Sequence, residues 1–154
     1  MSDEKAILLS VLPTFAYQIL DGTKKWEYRK RAPKIEEKTK MFLYASGDVG
    51  AIIGECVVTK VIQMPVEELI ENTIDETPSS KEGVRAYFAG HHMGSALRVE
   101  EPEKYGKPIT LLEIIDRIPG FAVPQNFYYL RKDDLKFSPL LRMIESREKT
   151  KIKM

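Results

Sequence analysis

One cysteine, Cys56, one tryptophan, Trp26, and two histidines, His91 and His92, stand among 154 residues. A lone cysteine excludes an internal disulfide and a cysteine-rich zinc site. Adjacent histidines point in different directions on a regular backbone, and no second ligand cluster accompanies them. They read as loop histidines, and no metal is expected. Ser10 and Ser46 stand outside any G-x-S-x-G elbow, and two histidines leave little for a serine triad. Phosphate-loop, dinucleotide and zinc-protease motifs are all missing, so no cofactor is expected. No apolar run approaches the ~20 residues that cross a membrane. The start, Met1 to Lys5, carries no basic segment followed by an apolar one, so no secretory signal is visible and a cytoplasmic location is expected. Charge of one sign is also lacking. Twenty-four cationic side chains against 23 carboxylates leave +1, which argues against a surface that coats polyanions all round.

What is present is an ordinary apolar and charged content in a chain long enough for one domain with its own core. The charge is uneven. Residues 24–40 and the tail from Arg131 to Lys153 are basic, whereas Glu67 to Glu103 is acidic, a distribution that favours a local nucleic-acid contact. In order, Ile7 to Val11 reads as a buried strand and Pro13 to Leu20 as a helix with Phe15, Ala16, Ile19 and Leu20 on one face. A charged strand follows at 25–31, broken by Ala32-Pro33, and then a polar connection from Lys34 to Lys40. Met41 to Ala45 and Ala51 to Gln63 read as strands across a turn at Ser46-Gly47-Asp48 and Gly50. The second of these is apolar on both faces and requires cover on both. Pro65 to Glu71 reads as a helix, Asn72 to Pro78 as a loop, and Ser80 to Ala89 as a helix capped by Ser79 with Glu82 and ended by Gly90. Leu97 to Val99 and Ile109 to Ile115 read as strands separated by polar Glu100 to Gly106. Phe127 to Leu130 reads as the last strand. A helix from Ser138-Pro139 groups Leu140, Leu141 and Ile144, and a basic end with Lys149, Lys151 and Lys153 reads as frayed.

The densest chemistry lies in Gly22-Thr23-Lys24-Lys25-Trp26-Glu27-Tyr28-Arg29-Lys30-Arg31. From Trp26 onward aromatic and charged residues alternate with the period of a strand. If Trp26 and Tyr28 enter a core, Glu27 and Arg29 share the opposite side. If the charged pair is itself buried, further hydrogen bonds must hold it. Lys24 is out of phase with both, so a bend at the strand's start is needed to bring its amine to them. The plainer alternative is a solvated, charged edge strand. A lysine in a partly desolvated cleft near other cations loses proton affinity and can act as base or nucleophile. Lys25 and Arg29 act on Lys24 in that sense and Glu27 opposes it.

Gly22, Lys24, Glu27 and Arg29 stand at G-x-K-x-x-E-x-R spacing after a helix opened by Pro13. This pattern resembles the signature of the ASCH domain, a relative of the PUA RNA-binding barrel. Leu8-Leu9-Ser10-Val11 resembles that family's first strand, and Phe42 to Ser46 with Ala51 to Glu55 the next two. Ala96 to Val99, Lys107-Pro108-Ile109 and Pro124-Gln125-Asn126-Phe127 resemble the C-terminal half of its bacterial and archaeal members. Lys25, Lys30 and Arg31 match no fixed position. Some small relatives are amidohydrolases on acetylated cytidine and others are ribonucleases. In the amidohydrolases the motif lysine acts with a threonine three residues on and a distant glutamate. Here Glu27 stands in the threonine's place, which counts against the same reaction, and Glu55 and Glu82 are the candidates for the distant glutamate.

The resemblance implies an α+β fold, a small mixed PUA-like β-barrel of about five to seven strands with helices packed outside. It spans residues 6–131, with 132–154 as a helical extension and basic tail. The expected site is a cleft between the first helix and the barrel. Lys24 and Glu27 are its catalytic candidates. Arg29, Trp26, Tyr28, Tyr44 and Ser46 are its ligand-binding candidates, although Trp26 and Tyr28 are equally at home in a core. The expected function is binding of RNA or a modified nucleoside, with DNA a second candidate partner. The alternatives are a small lysine-dependent hydrolase, either ribonuclease or amidohydrolase on acylated nucleosides, and a protein-interaction module in transcription regulation. Lys24, at the rim or floor of the cleft, is expected to be dispensable for folding.

Overall fold

A computed structural model describes residues 5–35, 38–147 and 149–151, the last three by backbone alone. The N-terminal residues 1–4 and the basic side chains expected at Lys149, Lys151 and Lys153 lie outside the described residues. No helix among the described residues is long and apolar enough to cross a membrane.

The first strand, β1 (Lys5–Val11), runs into α1 (Pro13–Leu20), whose opening proline suits a first turn because its missing N–H has no helical partner. β2 (Trp26–Arg29), β3 (Thr39–Ala45) and β4 (Ala51–Pro65) follow. Next come α2 (Val66–Thr73), a 3-10 turn at Ile74–Glu76 and α3 (Lys81–Tyr87). Ser80, not Ser79, caps α3 by accepting from the Gly83 amide at 2.9 Å. β5 (Met93–Thr110), α4 (Leu111–Arg117), β6 (Phe127–Arg131), α5 (Ser138–Glu145) and β7 (Lys149–Lys151) complete the chain.

The C-terminal half departs from the expected elements at two places. The polar stretch Glu100 to Gly106 is no linker but the middle of one 18-residue strand. Glu100, Glu101 and Lys104 are exposed and Glu103 is half-buried, while Pro102 and Tyr105 turn inward. Register shifts against β4 and a positive φ of 52° at Glu101 let the strand bulge without breaking. The stretch expected as a strand at Ile109 to Ile115 ends at Thr110. Thr110 and Glu113 then form a capping box that starts α4.

The strands pair in the order β2-β5-β4-β3-β1-β6, with β7 added to β5. Among the described residues only β1 and β3 run parallel. The expected fold class, α+β with helices outside the sheet, is what the chain adopts. Closure into a barrel is not shown by the pairing: among the described residues no ladder joins β2 to β6.

Strand alternation divides the interior into layers. Ile7, Leu9 and Val11 of β1 join Met41, Leu43 and Ile53 under Ala16, Ile19 and Leu20 of α1. Leu8, Phe42, Tyr44 and Ile52 point the other way, toward Ile114 of α4 and Leu140, Met143 and Ile144 of α5. A third cluster packs Trp26, Tyr28 and Ala96 against Leu69 and Ile70 of α2 and Val84 and Phe88 of the α3 segment. Gly54 permits α1 to lie this close: a Cβ there would meet the Glu103 carbonyl at 2.6 Å and Leu20 Cδ2 at 2.7 Å.

Candidate active site at the turn between α1 and β2

The residues that end α1 also set the site. Gly22 takes φ +86°, a conformation that side chains beyond glycine rarely adopt. The Gln18 carbonyl accepts from the amides of Thr23 at 3.1 Å and Lys24 at 3.0 Å. Asp21 Oδ1 accepts from the Thr23 amide and hydroxyl at 2.9 and 2.7 Å. This turn supplies the bend that the spacing demanded. Lys24, out of phase with the strand, becomes buried (3% exposed), with its Nζ 3.7 Å from Glu27 Oε1. The amine also lies 5.2 Å from the Phe15 ring centre and 4.9 Å from that of Tyr28.

β2 pairs with β5 so that Glu27 and Arg29 face the α1 side while Trp26 and Tyr28 face the α2 and α3 side. Both sides are covered, so Glu27 is buried and Arg29 is mostly covered. Arg29 Nε and Nη2 donate to Glu27 Oε2 at 3.0 and 2.9 Å. The guanidinium also donates from Nη1 to Asn126 Oδ1 at 2.8 Å and from Nη2 to the Ser10 carbonyl at 2.9 Å. Asn126 Nδ2 in turn donates to the Arg31 carbonyl at 3.2 Å. The Arg29 side chain therefore ties β2 to the backbone near the end of β1 and to the Asn126 side chain just before β6.

Glu27 Oε1 has no hydrogen-bond donor, and neither Ser95 Oγ nor Gln18 Oε1 has a partner, although all three atoms are buried. Ser95 stands opposite Arg29 in the ladder, and Gln18 is the residue whose carbonyl holds the Lys24 amide. Three of the four such atoms among the described residues thus belong to residues around one site, where buried polar groups are ordinarily satisfied. A recess beside it is lined by Ile19, Gly22, Lys24, Cys56, Val99 and Pro102 among others, with room for about one water molecule.

Burial pushes the Lys24 amine below its ordinary value of 10.5. Glu27 works against that shift, and the charge of Arg29 adds to it. Burial raises the Cys56 thiol, so the one cysteine, though it lines the recess, is held as an unreactive thiol.

The family model described as the ASCH domain matches residues 9–107. The chain belongs to the ASCH domain family. An ASCH domain-containing ribonuclease from Zymomonas mobilis subsp. mobilis is 28% identical over 132 residues, covering 86% of this chain and 88% of its relative. The crystal structure of ASCH from Zymomonas mobilis superposes with a TM-score of 0.83 at 26% identity, over 95% of this chain and 98% of that one. The N-terminal domain of Staphylothermus marinus McrB shares the fold alone, with a TM-score of 0.57 at 17% identity over 89% and 93% of the two chains.

In this ASCH domain the motif residues Lys24, Glu27 and Arg29 come together, and the other site candidates do not join them as expected. Trp26 and Tyr28 are core residues. Trp26 Nε1 donates to Glu76 Oε1 at 2.9 Å, and the Tyr28 hydroxyl lies 2.6 Å from Thr73 Oγ1. Neither ring has a free face for a base, because α2 and α3 cover that side of β2. Tyr44 is buried in the layer on the far side of the sheet from α1. Ser46 caps the end of β1, its amide donating to the Val11 carbonyl at 2.9 Å. The recess beside Lys24 has room for about one water molecule and not for a whole nucleoside. Glu55 is buried elsewhere, accepting from the Tyr105 hydroxyl at 2.7 Å and pairing with Lys40 at 2.8 Å. Glu82 is exposed on the first turn of α3. Two residues at the site are not among those expected there: Phe15, 37% exposed beside the Lys24 amine, and Asn126, which accepts from Arg29. The signal for Phe15 was its placement one turn before the buried Ile19, at the edge of the apolar face.

Proposed function

We propose that this ASCH domain acts on RNA and cleaves it at a ribose phosphate, with Lys24 as the proton-transfer group. The observation that carries the reading is the Lys24–Glu27–Arg29 triad, in which the buried Glu27 keeps one carboxylate oxygen that accepts no hydrogen bond, set beside a recess that admits a group the size of a hydroxyl. The similarity to a protein named as a ribonuclease supports the substrate class.

A recess of this size excludes a base and accommodates a ribose 2′-hydroxyl. In the proposed step the neutral Lys24 amine takes the 2′-hydroxyl proton as the oxygen attacks phosphorus. The O2′–P bond forms and the P–O5′ bond breaks. The departing oxygen takes a proton from solvent, giving a 2′,3′-cyclic phosphate and a 5′-hydroxyl. Glu27 stabilises the ammonium that forms on Lys24. Arg29 is a positioning residue, because its donors are engaged by Glu27, Asn126 and Ser10. Phe15 is the ring placed to meet a base at the mouth.

Incubation of the protein with a short single-stranded RNA, read by chromatography, tests the reading: a cyclic-phosphate product with a 5′-hydroxyl partner supports it. Binding without cleavage, for wild type at all pH values, replaces it with a binding module. Release of acid from an acylated nucleoside without RNA cleavage replaces it with amide hydrolysis.

A further inference from the structure

Beyond the triad, the chain lays a second row of cations and rings across the ends of β2 and β6. Lys30 and Arg31 follow β2 directly and are exposed. The Lys30 amine lies 4.9 Å from the centre of the Tyr87 ring, which is 40% exposed. The Arg31 guanidinium lies 5.4 Å from the ring of Phe127. Phe127 meets Tyr129 edge to face at 5.3 Å, and the Lys5 amine lies 4.5 Å from Tyr129. The contacts form two groups, Lys30 with Tyr87 and Arg31 with Phe127, Tyr129 and Lys5, and the two meet only where Lys30 and Arg31 follow each other at the end of β2. The row also adjoins the triad, because Asn126, which holds Arg29, donates to the Arg31 carbonyl. Among the described residues no carboxylate pairs with Lys30, Arg31 or Lys5.

We infer that this row is a track for single-stranded RNA, with Lys30, Arg31 and Lys5 meeting phosphates and Tyr87 offering a face to a base. The inference extends the proposed cleavage reading by giving the strand a path away from the Lys24 recess. Alternating cations and rings fit the alternation of phosphate and base in an unpaired strand. A duplex hides its base faces, so the ring side of the track would go unused. An acidic peptide would use the cations and leave the rings idle. Exposed cation–ring contacts are weak, so an arriving phosphate can recruit the cation from its ring.

The test uses the full chain and a fluorescein-labelled single-stranded RNA of about ten nucleotides, read by anisotropy across a salt series. The Lys30→Gln/Arg31→Gln double variant should bind at least tenfold more weakly and lower the slope of log affinity against log salt by about two. Cleavage of a dinucleotide, too short to leave the recess, should be unchanged. Tyr87→Ala should weaken binding to the single strand severalfold without changing the salt slope. Equal weakening by Lys60→Gln/Lys107→Gln, remote exposed lysines, would overturn the track in favour of diffuse attraction. Duplex RNA bound as tightly as the single strand, or double-variant binding equal to wild type, would also overturn it. Loss of dinucleotide cleavage in wild type bears on the cleavage reading alone, because anisotropy reads the track independently.

Discussion

Arg29 gives two donors to a single oxygen of Glu27, at 3.0 and 2.9 Å, and leaves the other oxygen facing Lys24 at 3.7 Å. The carboxylate is thereby divided between a partner that fixes it and an amine that it influences without a close hydrogen bond. Removing the fixing partner strands a buried charge. Arg29→Ala should destabilise the fold by about 3–5 kcal/mol in chemical denaturation. Arg29→Lys should recover only part of this, because an ammonium cannot reach Glu27, Asn126 and Ser10 together. A denaturation midpoint unchanged by Arg29→Ala would contradict the buried network.

Lys24, expected at the rim or floor of a cleft and to be dispensable for folding, is 3% exposed. It is buried, so Lys24→Ala should cost about 1–3 kcal/mol through lost packing beside Glu27, whereas Lys24→Met, which keeps the stem, should cost less. Its pH dependence has a definite sign. A lysine with a folded pKa below its unfolded value binds less proton when folded. Stability therefore rises with pH between the lowered value and about 10.5, the ordinary one. The difference in unfolding free energy between wild type and Lys24→Met should shift in favour of wild type across that window. A flat difference would mean that the amine titrates as if exposed.

The only tryptophan reports on the core. Trp26 is 6% exposed and hydrogen-bonded to Glu76. Its emission should resist iodide quenching and stay unchanged on saturation with RNA. Trp26→Ala should destabilise by about 3–5 kcal/mol. Strong quenching by bound RNA would instead place the ring at the ligand.

Gly54 tests how α1 is seated over the sheet. Gly54→Ala pushes a methyl against the Glu103 backbone and Leu20, and should cost about 1–3 kcal/mol by thermal melting. A melting temperature equal to wild type would mean that α1 and β5 yield freely.

The motif was legible in the sequence because its parts are local. Pro13 and Gly22 bound α1, and the two-residue period sent Glu27 and Arg29 to one side. Which side was buried was not legible, since both are. One cover is the neighbouring α1; the other comes from α2 and α3, elements distant in sequence whose docking no local pattern encodes. Trp26 and Tyr28 therefore read equally well as ligands or as core. The break placed at Glu100 to Gly106 shows the same limit. A polar stretch on an exposed strand looks like a loop until its partners on β4 and β7 are known. At α4 the sequence carries the Thr110–Glu113 spacing of a capping box, which the strand reading of Ile109 to Ile115 passed over because Leu112 and Ile115 are apolar. In the structure both are exposed, at 79% and 38%.

The central claim, that Lys24 performs proton transfer on an RNA 2′-hydroxyl, is tested most directly by cleavage of a dinucleotide across pH by wild type and Lys24→Met. The account predicts wild-type cleavage that rises with pH through a value below 10.5 and stops when the 2′-hydroxyl is replaced by hydrogen. It predicts no such rise, and a loss of at least 100-fold, in a folded Lys24→Met protein. Cleavage retained by Lys24→Met, or undiminished on the 2′-deoxy substrate, would contradict it.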